Sequence, residues 1–250
     1  MNGLRVFVTG AGGYLGSQLV RALVSPPAAA AAATATATAG ADARAIEVIA
    51  ADVRECPLDR RVPGVAYLSE DIRSPGLAAH LRGCDVVVHL ASIVTPGPAS
   101  TREFEYSVDV LGTGNVLEAC LAAGVKKIVV SSSGAAYGYH ADNPAWITED
   151  QPVRGNDEFP YARHKRLVEE MLARYRSEHP ELQQVVLRIG TILGETTRNQ
   201  ITDLFEKPRL IAIRGADSPF VFVWDQDVVG AMLHAIRSDR TGIYNLAGDG

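Results

Sequence analysis

Short apolar runs alternate with longer amphipathic stretches along most of the chain. That is the pattern of a parallel sheet whose strands are buried on both faces and joined by crossover helices. The runs predict strands at Arg5–Thr9, Glu47–Ala51, Val65–Leu68, Asp85–Leu90, Lys127–Ser131 and Val185–Ile189. Between them the periodicity predicts helices at Tyr14–Val24, Phe104–Ala123 and Tyr161–Ser177. In the second helix Val108, Leu111, Val116, Leu117 and Cys120 recur at roughly helical spacing, and Gly124 follows at a C-cap position. The fold expected is α/β, a doubly wound parallel sheet over residues 1–189, with residues 190–250 forming a small substrate-side lobe. In that second part the alternation loosens through 190–220. A short strand (Val221–Trp224), a helix (Asp225–Arg237) and a last strand (Ile243–Asn245) follow.

One stretch breaks the pattern. Residues 26–43 begin Pro26-Pro27 and continue as an Ala/Thr tract before Gly40-Ala41-Asp42. They read as a low-complexity insertion between the first helix and the second strand, expected to be mobile.

Composition narrows the class. A chain of 250 residues, 47% of them apolar, holds one large α/β domain with or without an appended lobe. The net charge of −5 is spread along the chain, and no Lys/Arg run offers a footprint for nucleic acid or an anionic membrane. No apolar run approaches bilayer length, and the N-terminus lacks a secretory signature. Cys56, Cys84 and Cys120 are odd in number and widely spaced, which fits neither a disulfide framework nor a zinc site. The six histidines show no metal spacing either, so no metal is expected. His164 is expected to be exposed, facing away from Tyr161, and His89 to be a satisfied packing residue. Trp146 and Trp224 are read as packing or substrate-wall residues. A cytoplasmic protein is the simplest fit.

The candidate chemistry begins at Thr9-Gly10-Ala11-Gly12-Gly13-Tyr14-Leu15-Gly16, which follows a predicted strand and opens a predicted helix. Glycines in that place allow a tight turn, close approach of backbone to a pyrophosphate, and close packing of helix on strand. The helix N-terminus then meets the phosphates. In this Rossmann arrangement an acidic residue about 20 positions later holds the adenosine ribose. Asp52 lies 36 residues beyond Gly16, and discounting the 18-residue insertion leaves a spacing of 18. Its carboxylate would bond the 2′-hydroxyl of NAD and repel the 2′-phosphate of NADP, so NAD is the expected cofactor. Arg54 close by is the one feature that would favour NADP.

Downstream, Ser131-Ser132-Ser133 ends the fifth strand, and Pro160-Tyr161-Ala162-Arg163-His164-Lys165 opens a helix. Tyr161 and Lys165, four apart, share a helix face. A phenol with a reference pKa of about 10 is a poor base at neutral pH, but a nearby ammonium favours its ionised form. Lowering such a pKa by about three units requires roughly 4 kcal/mol. Tyr161 could then take a hydroxyl proton as hydride leaves the adjacent carbon, or return one in reverse. A strand-end serine would orient the reacting oxygen.

With these residues the chain resembles the extended short-chain dehydrogenase/reductases, the NAD-dependent epimerase/dehydratase group. The resemblance runs from Arg5 to about Asn245. It rests on Thr9–Gly16, Asp71-Ile72, His89-Leu90-Ala91-Ser92, Gly112-Thr113-Gly114-Asn115-Val116, Ser131–Gly138 and Tyr161–Lys165. It implies Ser133, Tyr161 and Lys165 as the catalytic set, with Lys165 also on the nicotinamide ribose. It implies cofactor contacts from Gly10, Gly13, Tyr14, Leu15 and Gly16, from Asp52, and from Asp71 and Ile72 beside the adenine. Leu90, Ala91 and Ser92 would line the cofactor channel, with Ser131 and Ile189 nearby. A homodimer through the helices at 104–123 and 161–177 is implied as well.

Departures from that family bear on the substrate. Gly134 and Ala135 follow Ser133 where dehydratases place acidic residues, so dehydration is not expected. Thr191 and Phe220 stand where nucleotide-sugar epimerases carry an asparagine and an arginine, and Asp109 stands where Asn is frequent. The sequence also ends at Gly250, short of many relatives, which suggests a truncated form or a smaller substrate. The expected activity is reversible hydride transfer at a secondary alcohol carbon of a sugar or nucleotide sugar. The alternatives are simple dehydrogenation or reduction of a small hydroxy or keto substrate, and non-catalytic sensing of NAD(P).

Overall fold

The computed structural model describes residues 3–25, 45–209, 214–215 and 220–248. The Ala/Thr insertion at 26–43 lies outside them.

The long apolar runs become strands because both of their faces are covered. β1 (Leu4–Thr9), β2 (Ile46–Asp52), β3 (Val65–Ser69), β4 (Val86–His89), β5 (Lys127–Ser133), β6 (Gln183–Ile189) and the late strand Gly242–Leu246 form one sheet. Val6, Phe7 and Val8 in β1 and Val87 and Val88 in β4 are wholly buried. Every pairing is parallel, and the spatial order is β3-β2-β1-β4-β5-β6 followed by the late strand. The order reverses between β1 and β4, the switch point where doubly wound sheets bind ligands at the carboxyl ends of their strands.

Helices cover both faces, as the doubly wound prediction requires. On one lie α1 (Tyr14–Val24) and the late helix Asp225–Arg237, with Leu19, Val20, Leu23, Val228 and Met232 packed on Val6, Val8 and Val48. On the other lie α2 (Leu77–Leu81), α3 (Arg102–Tyr106), α4 (Thr113–Ala123) and α5 (Pro160–Glu178). There Leu81, Leu117, Cys120, Val168 and Leu172 pack on Phe7, Val87 and Ile128.

Three expectations need correction. The helix foreseen at Phe104–Ala123 is α3 and α4 joined by a π-helical segment, Ser107–Gly112. The wider turn carries Asp109 into the interior and leaves Leu111, placed in the core by simple periodicity, 56% exposed. The strand at the end of the chain, assigned above to the substrate-side lobe, extends the main sheet beside β6 from Val185↔Gly242 to Ile189↔Leu246. It and the preceding helix belong to the main body because their apolar residues cover its last edge and face. What stands apart is the segment holding β7 (Thr191–Leu193), α6 (Gln200–Phe205) and β8 (Phe222–Trp224), with β7 and β8 paired as a small parallel ribbon. The late helix and strand are accordingly α7 and β9. The third correction concerns His164 and belongs to the site.

Candidate functional site

The glycine turn lies at the switch point, between β1 and α1. Gly10 has φ +65, and a Cβ there would come within 2.7 Å of the Ala91 backbone nitrogen. A Cβ on Gly16 would lie 2.2 Å from the Gly10 carbonyl oxygen, so α1 sits directly against the turn. Asp52 closes one side: Oδ2 accepts from the Gly12 N–H at 3.0 Å, and Oδ1 from the Arg54 N–H at 3.0 Å. The Arg54 side chain is largely exposed, with Nε 3.6 Å from the same carboxylate.

Asp71 and Ile72 follow β3 on the same side. Arg73 grips the Asp71 carboxylate with Nε and Nη2 and holds it below the usual carboxylate range, chiefly by that hydrogen bonding. Ile72 is buried and abuts Gly112. Tyr14, expected among the cofactor contacts, turns its hydroxyl to Asp225 (2.6 Å) and Thr197 (2.7 Å), tying the start of α1 to the late segment. Leu15 is half-buried beneath it.

At the carboxyl ends of β1 and β4, Thr9 Oγ1 accepts from the Leu90 and Ala91 N–H groups and bonds His89 Nδ1 at 2.8 Å. His89 Nε2 reaches Thr113 Oγ1 at 3.0 Å. Burial, with the Lys165 charge adding to it, pushes the imidazole down to about 3, so His89 stays neutral. It is the satisfied packing residue expected.

The other end of the site is built by β5 and α5. Lys165 Nζ donates to the Ser131 carbonyl at 3.0 Å and lies 5.5 Å from the Tyr161 ring centre, on one face of α5 as the spacing predicted. Ser131 Oγ in turn donates weakly to the His89 carbonyl (3.4 Å). Ser133 ends β5, and its Oγ accepts from the Ala135 N–H at 3.2 Å, capping the 3₁₀ turn Gly134–Tyr137 that packs against α5. Ile189, in register with Ser133 on the neighbouring strand, is buried. The structure thus gathers Ser131, Ser133, Tyr161 and Lys165 at the carboxyl edge of the sheet. Ala91 and Ser92 link that edge to the glycine turn.

His164 is not exposed. It is 3% accessible, and its Nδ1 is 2.9 Å from Oδ2 of an equally buried Asp109. The same carboxylate accepts from Ser92 Oγ at 3.0 Å and the Ile93 N–H at 2.8 Å. The apolar stripe of α5, Val168 and Leu172, contains His164 at i−4 and i−8, and that signal was available in the sequence.

A second buried group also went unforeseen. Arg188 and Glu169, both about 5% exposed or less, pair through Nε and Nη2, and Glu169 Oε1 also accepts from Ser132 Oγ at 2.5 Å. Arg188 Nη1 donates to Tyr137 Oη (2.7 Å) and the Glu149 carbonyl (3.0 Å), anchoring the segment between β5 and α5. The only forewarning is Glu169 at i+4 from Lys165. Thr191 opens β7, bonding the Val221 carbonyl at 2.7 Å, and Phe220 is half-exposed in an aromatic cluster with Phe205 and Phe222. Trp146 is largely exposed. No group of residues suited to a metal ion occurs among the described residues, and no described helix is long and apolar enough to cross a membrane.

Comparison with known proteins places this geometry. A family model described as the NAD dependent epimerase/dehydratase family matches residues 6–247. An uncharacterized protein of Mycobacterium tuberculosis is 25% identical over 254 residues, covering 98% of this chain and 62% of its own length. UDP-glucose 4-epimerase of Azospirillum brasilense is 33% identical over 195 residues, which is 76% of this chain and 49% of that enzyme. Among solved structures, the UDP-glucose 4-epimerase of Thermus thermophilus in complex with NAD superposes with a TM-score of 0.72 at 26% identity. The match covers 98% of this chain and 78% of that one. The chain therefore spans between about half and three-fifths of the length of these curated relatives.

Proposed function

The chain belongs to the NAD-dependent epimerase/dehydratase family, and from that premise we propose that it is an NAD-dependent enzyme acting on a nucleotide sugar by reversible hydride transfer at a secondary alcohol carbon. The observation that carries this reading is Lys165, fixed to the Ser131 carbonyl and set beside the Tyr161 ring, at the sheet edge that also holds the glycine turn.

The residues fit NAD. The turn leaves bare backbone beside Asp52, and a Cβ at Gly12 would crowd that carboxylate at 3.1 Å. Gly10, Gly13 and the start of α1 would hold the pyrophosphate, Asp52 the adenosine ribose, and Lys165 the nicotinamide ribose. When bound, NAD supplies the hydride acceptor and donor. Tyr161 takes the proton of the substrate hydroxyl as the C–H bond breaks and returns it when the carbonyl is reduced again. Ser133 donates to the same oxygen and fixes its direction. Lys165 Nζ, 5.5 Å from the Tyr161 ring centre, sets its ammonium beside the phenol that exchanges the proton. Return of hydride to the opposite face of the carbonyl inverts the carbon, and return to the same face restores it.

The nucleotide-sugar assignment draws on the epimerase relatives. Thr191 and Phe220 favour a second reading, reduction of a smaller keto compound, because they stand where nucleotide-sugar epimerases carry an asparagine and an arginine for the diphosphate. A homodimer through the helical stretches 104–123 and 161–177, the first of which carries Phe104 and Leu111 exposed on the single chain, is part of the proposal. So is a cytoplasmic setting, in keeping with three free cysteines.

Tyr161→Phe tests the chemistry: turnover should fall about 10²- to 10⁴-fold while NAD binding persists. Unchanged turnover where chemistry limits the rate would refute the assignment. Thermal shifts with NAD, NADP, UDP-glucose and small hydroxy ketones sort the substrates, since saturation at about 100 times Kd adds roughly 2.7 kcal/mol.

A further inference from the structure

Asp109 and His164 place a carboxylate and an imidazole, each about nineteen-twentieths buried, in the wall between the glycine turn and the catalytic helix. A pair of this kind is costly to bury and rarely adds net stability over apolar residues of the same shape. Its connections here are directional. Asp109 Oδ1 holds Ser92 Oγ and the Ile93 N–H, the strand-end segment that continues from the residue pressed against Gly10. Oδ2 holds His164 Nδ1, one residue before Lys165 on α5. The main-chain oxygen of Asp109 accepts from Thr113 Oγ1 at 2.6 Å, and Thr113 continues through His89 to Thr9 at the end of β1. Every link ends on an element that carries part of the site.

Two further features fit the same role. Asp109 reaches the interior because it lies in the π segment, and such interruptions are frequent at functional sites. His164 is fixed from its other side by Tyr106, whose ring meets it edge-on at 5.8 Å and 70°. Asp109, His164 and Ser92 also line one small pocket with Lys165 and Ser131.

We propose that Asp109 and His164 are a positioning pair, which fixes the cofactor-channel segment 91–93 against the Tyr161/Lys165 end of α5. The inference rests on the reading of Tyr161, Lys165 and NAD given above. Neither residue touches the reacting atoms; the pair acts through Ser92 on one side and Lys165 on the other. Its loss lets the two walls of the nicotinamide end move independently, so that NAD binding and hydride transfer suffer while the distant nucleotide contacts do not.

The test compares His164→Leu, which fills the space without a donor, with His164→Asn, which keeps an N–H near the Nδ1 position. NAD affinity is measured by calorimetric titration without sugar, kcat and KM with UDP-glucose, and stability by urea unfolding. Leu should weaken NAD binding about tenfold, the worth of one lost hydrogen bond to a buried charge, and lower kcat with KM nearly constant. Asn should restore most of both. Leu and Asn variants that bind NAD equally, differing only in stability, would overturn the proposal. If His164→Leu alone does not fold, Asp109→Asn with His164→Leu removes the stranded charge while keeping an acceptor for Ser92 and Ile93. That double variant should still show the tenfold loss, and wild-type NAD affinity in it would overturn the pair. Wild-type protein that binds no NAD would instead overturn the functional reading and this inference with it.

Discussion

Removing the Glu169 carboxylate should cost more stability than any surface change in this chain. Its two oxygens accept from Ser132 Oγ and from Arg188 Nε and Nη2, at 2.5 to 3.0 Å, in a setting where both charged residues are about 95% inaccessible. Glu169→Ala leaves Arg188 with acceptors only at Nη1, namely Tyr137 Oη and the Glu149 carbonyl. A buried charge stripped of its partner costs about 3–5 kcal/mol. At about 2–4 °C per kcal/mol for a chain of this size, the melting temperature should drop by roughly 10 °C.

The physical claim is separable from a simple cavity effect. Replacing both partners by apolar residues, Glu169→Leu with Arg188→Met, removes the stranded charge, so the double variant should recover a large part of the about 3–5 kcal/mol that Glu169→Leu alone loses. It should not reach wild type, because Tyr137 and the Glu149 carbonyl lose a donor. Urea unfolding followed by circular dichroism measures each corner of the cycle. A loss under about 1 kcal/mol for Glu169→Ala, or a double variant no better than the single, would mean that water or chain relaxation satisfies Arg188 and that the pair is not truly sealed.

Asp52→Asn should raise NADP affinity relative to NAD about tenfold or more, since the carboxylate facing a 2′-phosphate is then neutral; equal preference in both proteins by titration would remove Asp52 from the ribose site. Gly16→Ala, whose methyl would lie 2.2 Å from the Gly10 oxygen, should abolish the thermal shift given by NAD even in the folded fraction. His89, pushed down to about 3 from its ordinary 6.5, should make stability fall with acid. Between those pH values the unfolded chain binds one proton more than the folded one, so stability declines by about 1.4 kcal/mol per pH unit as pH drops. His89→Gln should flatten that decline by one proton, and an unchanged slope in unfolding experiments run at stepped pH would refute the assignment.

Much of the fold was legible because burial on both faces leaves a mark on sequence. Val6-Phe7-Val8 and Val86-Val87-Val88 could be little else than central strands, and the glycine turn after β1 fixed where the site would lie. The Tyr161/Lys165 pair was legible for a related reason, since a spacing of four on a helix states a shared face whatever surrounds it. Boundaries were less secure. β9 reads as an isolated short run, and only its pairing with β6 shows that it extends the main sheet. The π segment was invisible because the residues around it keep an acceptable helical rhythm, and one widened turn rotates Asp109 inward without altering composition.

What sequence periodicity could not supply was the partner across the core. His164 belongs to the buried stripe with Val168 and Leu172, and judging its direction from Tyr161 alone pointed it to solvent. Even with the direction right, its partner Asp109 lies 55 residues away, Glu169 meets Arg188 over a gap of 19, and Tyr14 meets Asp225 over 211. Each is a polar group whose burial is tolerable only because another element delivers a matching group, a condition that exists once the sheet is assembled. In this chain such pairs join the π segment to α5, β6 to α5, and α1 to α7. The residues that perform the proposed chemistry could therefore be read locally from their spacing, whereas the residues that hold them in place depend on topology and emerge only with the fold.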